Sequence, residues 1–128
     1  MIKTDLDGSR GGHYSHAVRA GDFIYVAGQT PRDSQRNILG TTIEDQTVAT
    51  MENVRLILSN AGATLEQVVK VSVHLSNLAD QSRFNAVYQQ YFPTFQPVRT
   101  TVGSTLNNIL VEIDVVAYVG APSTAGHQ

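Results

Sequence analysis

Residues 42–61 read TIEDQTVATMENVRLILSNA, and residues 69–76 read VKVSVHLS. In the first stretch Thr47, Met51, Val54, Leu58 and Ala61 recur at steps of three and four, which aligns one buried face along a helix over Thr42–Ala61. Thr41 or Thr42 can cap its start, Glu44 and Asp45 suit the positive end of the helix dipole, and Gly62 stands where a C-terminal cap belongs. In the second stretch Val69, Val71, Val73 and Leu75 alternate with Lys70, Ser72, His74 and Ser76, the pattern of a half-buried strand. A helical period giving way to a period of two means helix and sheet in one domain.

Working towards the N-terminus, Ser15–Arg19 and Phe23–Ala27 read as two short strands joined across Ala20-Gly21-Asp22. Residues 28–40, rich in Gly, Pro, Asp, Ser and Asn, read as a loop, and the first twelve as a polar, glycine-rich lead-in. Towards the C-terminus, Ala79–Tyr91 reads as a second helix stopped by Pro93. Val98–Thr105 and Ile109–Val119 read as two further strands forming a hairpin around Leu106, Asn107 and Asn108, and residues 121–128 as a disordered tail. The expected order is β-β-α-β-α-β-β, an α+β mixed sheet with two helices on one face. Along the last strand Ile109, Val111, Ile113, Val115 and Ala117 line one side, while Leu110 and Val116 lie on the other. An apolar second face with no helix left to cover it calls for another subunit.

At 128 residues the chain is one domain, large enough to build a core without staples. The formal charge of −2 and scattered cations, with Arg32 and Arg36 flanking a turn instead of forming a stripe, argue against nucleic-acid binding. The absence of cysteine excludes disulfides, thiolate catalysis and thiolate metal sites. No apolar run approaches 18 residues and the first residues carry no signal-like apolar core, so the expectation is a soluble cytoplasmic protein off the membrane.

Two side chains stand out for chemistry. Arg99 follows Pro97-Val98 at the start of a strand, and its planar fork suits a carboxylate ligand; a salt bridge at a surface or interface is the plainer alternative. Glu112 sits in the run Val111-Glu112-Ile113-Asp114, where a carboxylate near an interface can hold and deprotonate water; the plainer reading is the solvated side of an alternating strand. His13, His16 and His74 do not make a metal set, because a His-x-x-His spacing on extended chain puts its members on different faces. No nucleophile elbow and no phosphate-cradling glycine loop is present.

Six stretches in order resemble the reactive-intermediate deaminase (RidA, YjgF-type) family. They are Gly12-His13-Tyr14-Ser15-His16-Ala17-Val18, Val26-Ala27-Gly28-Gln29-Thr30-Pro31, the helix positions Gln46-Thr47, Asn53-Val54 and Ala61-Gly62, then Val68–Val71 with Phe84–Tyr88 and Tyr91-Phe92, Pro97-Val98-Arg99, and Val111–Asp114. The resemblance spans about Gly12 to Val119 and implies a chorismate-mutase-like fold assembled as a homotrimer with clefts between subunits. It implies that Arg99 grips the carboxylate of a small acid and Glu112 positions water, with Tyr14, Gly28, Asn85 and Thr101 lining the cleft. The implied activity is cofactor-free, metal-free hydrolysis of 2-aminoacrylate and related 2-imino acids to a 2-oxo acid and ammonia. A larger unsaturated amino acid such as aminomuconate is the alternative substrate, and a non-enzymatic carboxylate-binding trimer or an endoribonuclease the alternative roles. His13, Ala27 and Thr101 stand where the family pattern has proline, serine and often cysteine or serine.

Overall fold

The computed structural model describes residues 2–4 and 13–121. Six strands form one sheet: β1 (Ile2–Thr4), β2 (Ala17–Ala20), β3 (Phe23–Gln29), β4 (Val68–Leu75), β5 (Val98–Gly103) and β6 (Val111–Tyr118). Two helices, α1 (Ile43–Asn60) and α2 (Gln81–Tyr88), interrupt them. In space the strands run β1-β2-β3-β6-β4-β5, antiparallel throughout except for the parallel β4–β5 pair.

The long helix follows its sequence signals. The Thr42 hydroxyl accepts from the Asp45 N–H, and Ala61 closes the far end ahead of Gly62, whose φ of +85° glycine adopts without strain. Its apolar stripe, Met51, Val54, Ile57 and Leu58, packs with Phe84 of α2 onto Ile24, Val26, Val71, Val73, Val111, Ile113 and Val115. β6, the most regularly alternating strand, lies between β3 and β4, its side chains at 111, 113, 115 and 117 buried under the helices.

Three expectations are corrected. The first twelve residues are not simply a lead-in: Ile2–Thr4 is a strand paired with β2, and the rest of that segment lies outside the described residues, as does the tail beyond residue 121. The second helix is shorter than Ala79–Tyr91, because single turns of tighter 3-10 helix at Leu78–Asp80 and Gln89–Tyr91 flank α2. Most consequentially, β5 and β6 do not form a hairpin. The chain between them wraps over the end of β4, where Ser104 N–H donates to Leu75 O (2.9 Å) and Ser76 N–H to Leu110 O (3.0 Å), so β4 fills the gap between them.

Both helices cover one face. The other carries Phe23 and Tyr25 of β3, Val116 and Tyr118 of β6, Lys70, Ser72 and His74 of β4, and Val98 and Val102 of β5. In the single chain Val98 is 68% and Tyr25 50% exposed, a large apolar outlay for a monomer.

Candidate functional site

The register of the strands places the two chemical residues on opposite sides of the sheet. Arg99 pairs with Val71 and Thr101 with Val73, so both belong to the helix-covered face. The Arg99 guanidinium lies 4.9 Å from the Tyr88 ring centre and 5.6 Å from that of Phe84, stacked on α2. No hydrogen bond or carboxylate partner engages it among the described residues. Asn85 joins Tyr88, Gln89, Phe92, Pro93, Gln96 and Arg99 around an open cleft of about 480 Å³. Asn85 Oδ1, the Tyr88 hydroxyl and Thr101 Oγ1 are all buried without a hydrogen-bond partner among the described residues. Burial pushes the Tyr88 hydroxyl up to about 12, partly opposed by the Arg99 charge, so at neutral pH it is a donor in search of an acceptor. Three orphaned polar groups around an unpaired cation are costly unless something else satisfies them.

Glu112 pairs across with His74 and points to the uncovered face. It lies in a second cleft, of about 430 Å³, with Tyr14, Ala27, Gly28, Thr30, Arg32, Arg36, Asn107 and Ile109. Gly28 stands at an irregularity where the β3–β6 register shifts between Val26 and Gln29. A Cβ on Gly28 would overlap the Glu112 carboxylate oxygen and sit 3.0 Å from its Cδ, so the missing side chain is what gives Glu112 its place. The sequence-expected residues thus form two half-sites, Arg99 with Asn85, and Glu112 with Tyr14 and Gly28; Thr101 shares the face of Arg99 but does not line its cleft. Arg99 and Glu112 are separated by strand β4, about 10 Å at two strand spacings, and by the thickness of the sheet.

The loop beside Glu112 is held firmly. Asn53 of α1 donates to Thr30 O and Arg32 O, both at 2.8 Å, and Arg32 bridges to Ile38. Asp33 Oδ1 accepts from the N–H groups of Gln35 and Asn37, and Arg36 occupies the left-handed region at φ +70°, about 1 kcal/mol less favourable than glycine there. Arg32 donates to Asn107 O at 2.8 Å. Burial and the Arg36 charge pull its guanidinium below the usual range, against the pull of Glu112 and Tyr14. Gln46 of α1 ties the opposite wall, accepting from Leu110 N–H (2.8 Å) and donating to Gly40 O (3.1 Å). Sequence reading placed Arg32 and Arg36 on a turn but did not connect them with Glu112. Their spacing around a Pro-Arg-Asp-Ser turn was the only signal. Among the described residues no three His, Asp or Glu side chains converge as a metal ion would require, and no helix is long and apolar enough to cross a membrane.

Residues 9–119 match the model of the family described as endoribonuclease L-PSP. The chain is 41% identical over 109 residues to a RutC family protein of Saccharolobus solfataricus, covering 83% of this chain and 86% of that one. Among solved structures it matches RidA from a Psychrobacter species (TM-score 0.83, 30% identity, 92% and 98% of the two chains). It also matches E. coli TdcF with bound serine (TM-score 0.82, 27% identity, 92% and 97%). With nearly the whole fold covered on both sides, the chain belongs to the endoribonuclease L-PSP family, that of the YjgF, RutC and Rid proteins.

Proposed function

We propose that this protein is a cofactor-free hydrolase of 2-imino acids, acting in clefts between copies of itself, three in a closed ring. The observation that carries the reading is the Arg99 half-site: an unpaired guanidinium braced on two aromatic rings, with buried polar groups of Asn85 and Tyr88 left to a ligand. A carboxylate answers the fork with two parallel hydrogen bonds. Because Glu112 lies beyond β4 on the other face, it reaches the same ligand only from a second copy, seated on the exposed apolar side. The serine in TdcF belongs to that protein, but an amino-acid carboxylate is the kind of group the Arg99 half-site would take.

The chemistry asks little of the protein. An enamine such as 2-aminoacrylate tautomerises to its imine, whose C2 is electrophilic. Water adds to C2, its proton passing to Glu112 and from there to nitrogen, which gives the carbinolamine; Glu112 then takes the hydroxyl proton and hands it to nitrogen as the C=O bond forms and the C–N bond breaks, and 2-oxo acid and ammonia leave. Holding the carboxylate and one water converts a slow encounter into an oriented one, and a placed carboxylate base adds to it. Net charge of −2 and scattered cations without a basic stripe favour a small acid over an RNA backbone.

The test is release of ammonia and 2-oxo acid from freshly generated 2-aminoacrylate and 2-iminobutanoate. Acceleration by the wild type that falls at least 100-fold in Arg99→Ala supports the reading. A rate equal to the spontaneous one with both substrates overturns it.

A further inference from the structure

On the uncovered face Glu112 has a titratable neighbour. His74 of β4 is its register partner, which sets the two Cβ atoms about 5 Å apart. From there the side chains diverge. Glu112 occupies the room left open at Gly28 of β3, on one side of β6. His74 turns the other way, its Nδ1 2.7 Å from the hydroxyl of Ser104, just past β5. Ser104 is itself fixed by its N–H, which donates to Leu75 O at 2.9 Å. Among the described residues His74 Nε2 has no hydrogen-bond partner, and no ion pair joins His74 to Glu112. The gap between them therefore has a carboxylate on one side and an imidazole nitrogen on the other. The other charged groups on this face of the two strands, Asp114 and Lys70, stand farther along, beside Ser72 and Val116.

Hydrolysis of an enamine needs a second acid–base group at such a place. Water attacks C2 only when C2 is electrophilic. In an enamine C3 is nucleophilic, and C2 becomes electrophilic once C3 has taken a proton. Imidazole both gives and takes a proton near neutral pH, and a ring held through Nδ1 exchanges it through Nε2.

We propose that His74 is the acid that protonates C3 of an enamine substrate, so that the cleft makes the imine as well as hydrolysing it. With the ring protonated, Nδ1–H donates to Ser104 Oγ and Nε2 gives its proton to C3. The C2=C3 electron pair forms the new C–H bond, the nitrogen lone pair forms C2=N, and Glu112 takes one N–H proton. The carboxyl then returns that proton to Nε2, so the step is an isomerisation that consumes no co-reactant. The inference rests on the deaminase reading for the site and adds a second activity to it, enamine–imine tautomerisation.

Two sources of substrate separate the steps. A pyridoxal-phosphate dehydratase acting on threonine supplies the enamine 2-aminocrotonate, and an amino-acid oxidase acting on 2-aminobutanoate supplies 2-iminobutanoate directly. The ratio of enamine-fed to imine-fed kcat/KM falls at least about tenfold in His74→Phe, which keeps a ring on the sheet, and by a smaller factor in Ser104→Ala, which unpins the imidazole. A loss of folding would lower both rates and leave the ratio alone. In a second readout the enamine is supplied in D2O and the 2-oxobutanoate is reduced at once to 2-hydroxybutanoate. Wild type yields one C3 epimer in excess over the dehydratase alone, and His74→Phe yields the dehydratase-only mixture. A ratio unchanged in both variants, or a wild-type product with the dehydratase-only mixture at C3, overturns the proposal. If wild type but not His74→Phe speeds the decay of the enamine absorbance while ammonia release stays at the spontaneous rate, the deaminase reading fails and the tautomerase stands.

Discussion

Replacing Gly28 with alanine should separate the position of Glu112 from the stability of the fold. The added Cβ would overlap the Glu112 carboxylate and come within 3.0 Å of Cδ and 3.2 Å of Cγ. The obstacle is the end of a flexible side chain, not backbone, so Glu112 swings aside at about 1 kcal/mol for a strained rotamer. Part of that is offset because alanine loses less freedom than glycine on entering a strand. Stability therefore changes by less than about 1 kcal/mol, and Tm by less than about 5 °C. The carboxylate, however, moves by about 1 Å, enough to lower the rate about 100-fold where a water must be aimed. The assay is kcat for imine hydrolysis in a double-mutant cycle with Glu112→Gln. Gly28→Ala should cost about 100-fold in the wild type and less than about threefold in a chain already carrying Glu112→Gln, because its effect passes through the carboxylate. Equal losses in both backgrounds, or none in the wild type, would refute the reasoning.

Two further outcomes follow from the geometry. Tyr88 is buried with its hydroxyl pushed up to about 12, so the folded state keeps its proton where the unfolded chain loses it, near 10. Its contribution is present below pH 10 and lost as pH rises towards 12, and Tyr88→Phe should gain about 1.4 kcal/mol over the wild type between pH 8 and 11 in urea denaturation; a constant difference across that range would contradict this. Val98 is 68% exposed on the uncovered face, and Val98→Asp should yield monomers by sedimentation velocity with an unchanged far-ultraviolet circular dichroism spectrum. Oligomers that survive this change would place the interface elsewhere.

The local signals were read well where local physics decides. Thr42 caps α1, Gly62 follows its end in a left-handed conformation, and the buried stripe through Met51, Val54 and Leu58 is the one the spacing requires. Alternation in β6, and in β4 from Val71 onward, carried over into buried and half-buried positions, whereas at the start of β4 a register shift buries Val68 instead of Val69. What failed was pairing at long range. Leu106–Asn108 signals a reversal of direction, and Asn108 does take a positive φ of 64°, but a reversal does not say which strand lies alongside. β4, contributed from some thirty residues earlier, takes the place beside β6, and β5 becomes the sheet edge.

The resemblance put Arg99, Asn85, Thr101, Glu112, Tyr14 and Gly28 in clefts between subunits; within a chain they divide into two half-sites, one on each face of the sheet. An alternating strand reveals which residues share a face, yet two strands must be placed in register before their faces can be compared. Arg32 and Arg36 were legible only as turn residues, because their meeting with Glu112 depends on Asn53 drawing the loop down onto α1.

In the proposed mechanism Arg99 and Glu112 act on one substrate from different copies of the chain. Co-refolding equal amounts of Arg99→Ala and Glu112→Gln tests it most directly. In any closed ring, half the copies contribute an intact arginine and half an intact glutamate, so about one quarter of the clefts are restored. The mixture should show about 25% of wild-type imine hydrolysis although each variant alone is at least about 100-fold slower than the wild type, and a mixture no more active than its components would mean that the two groups do not meet across copies.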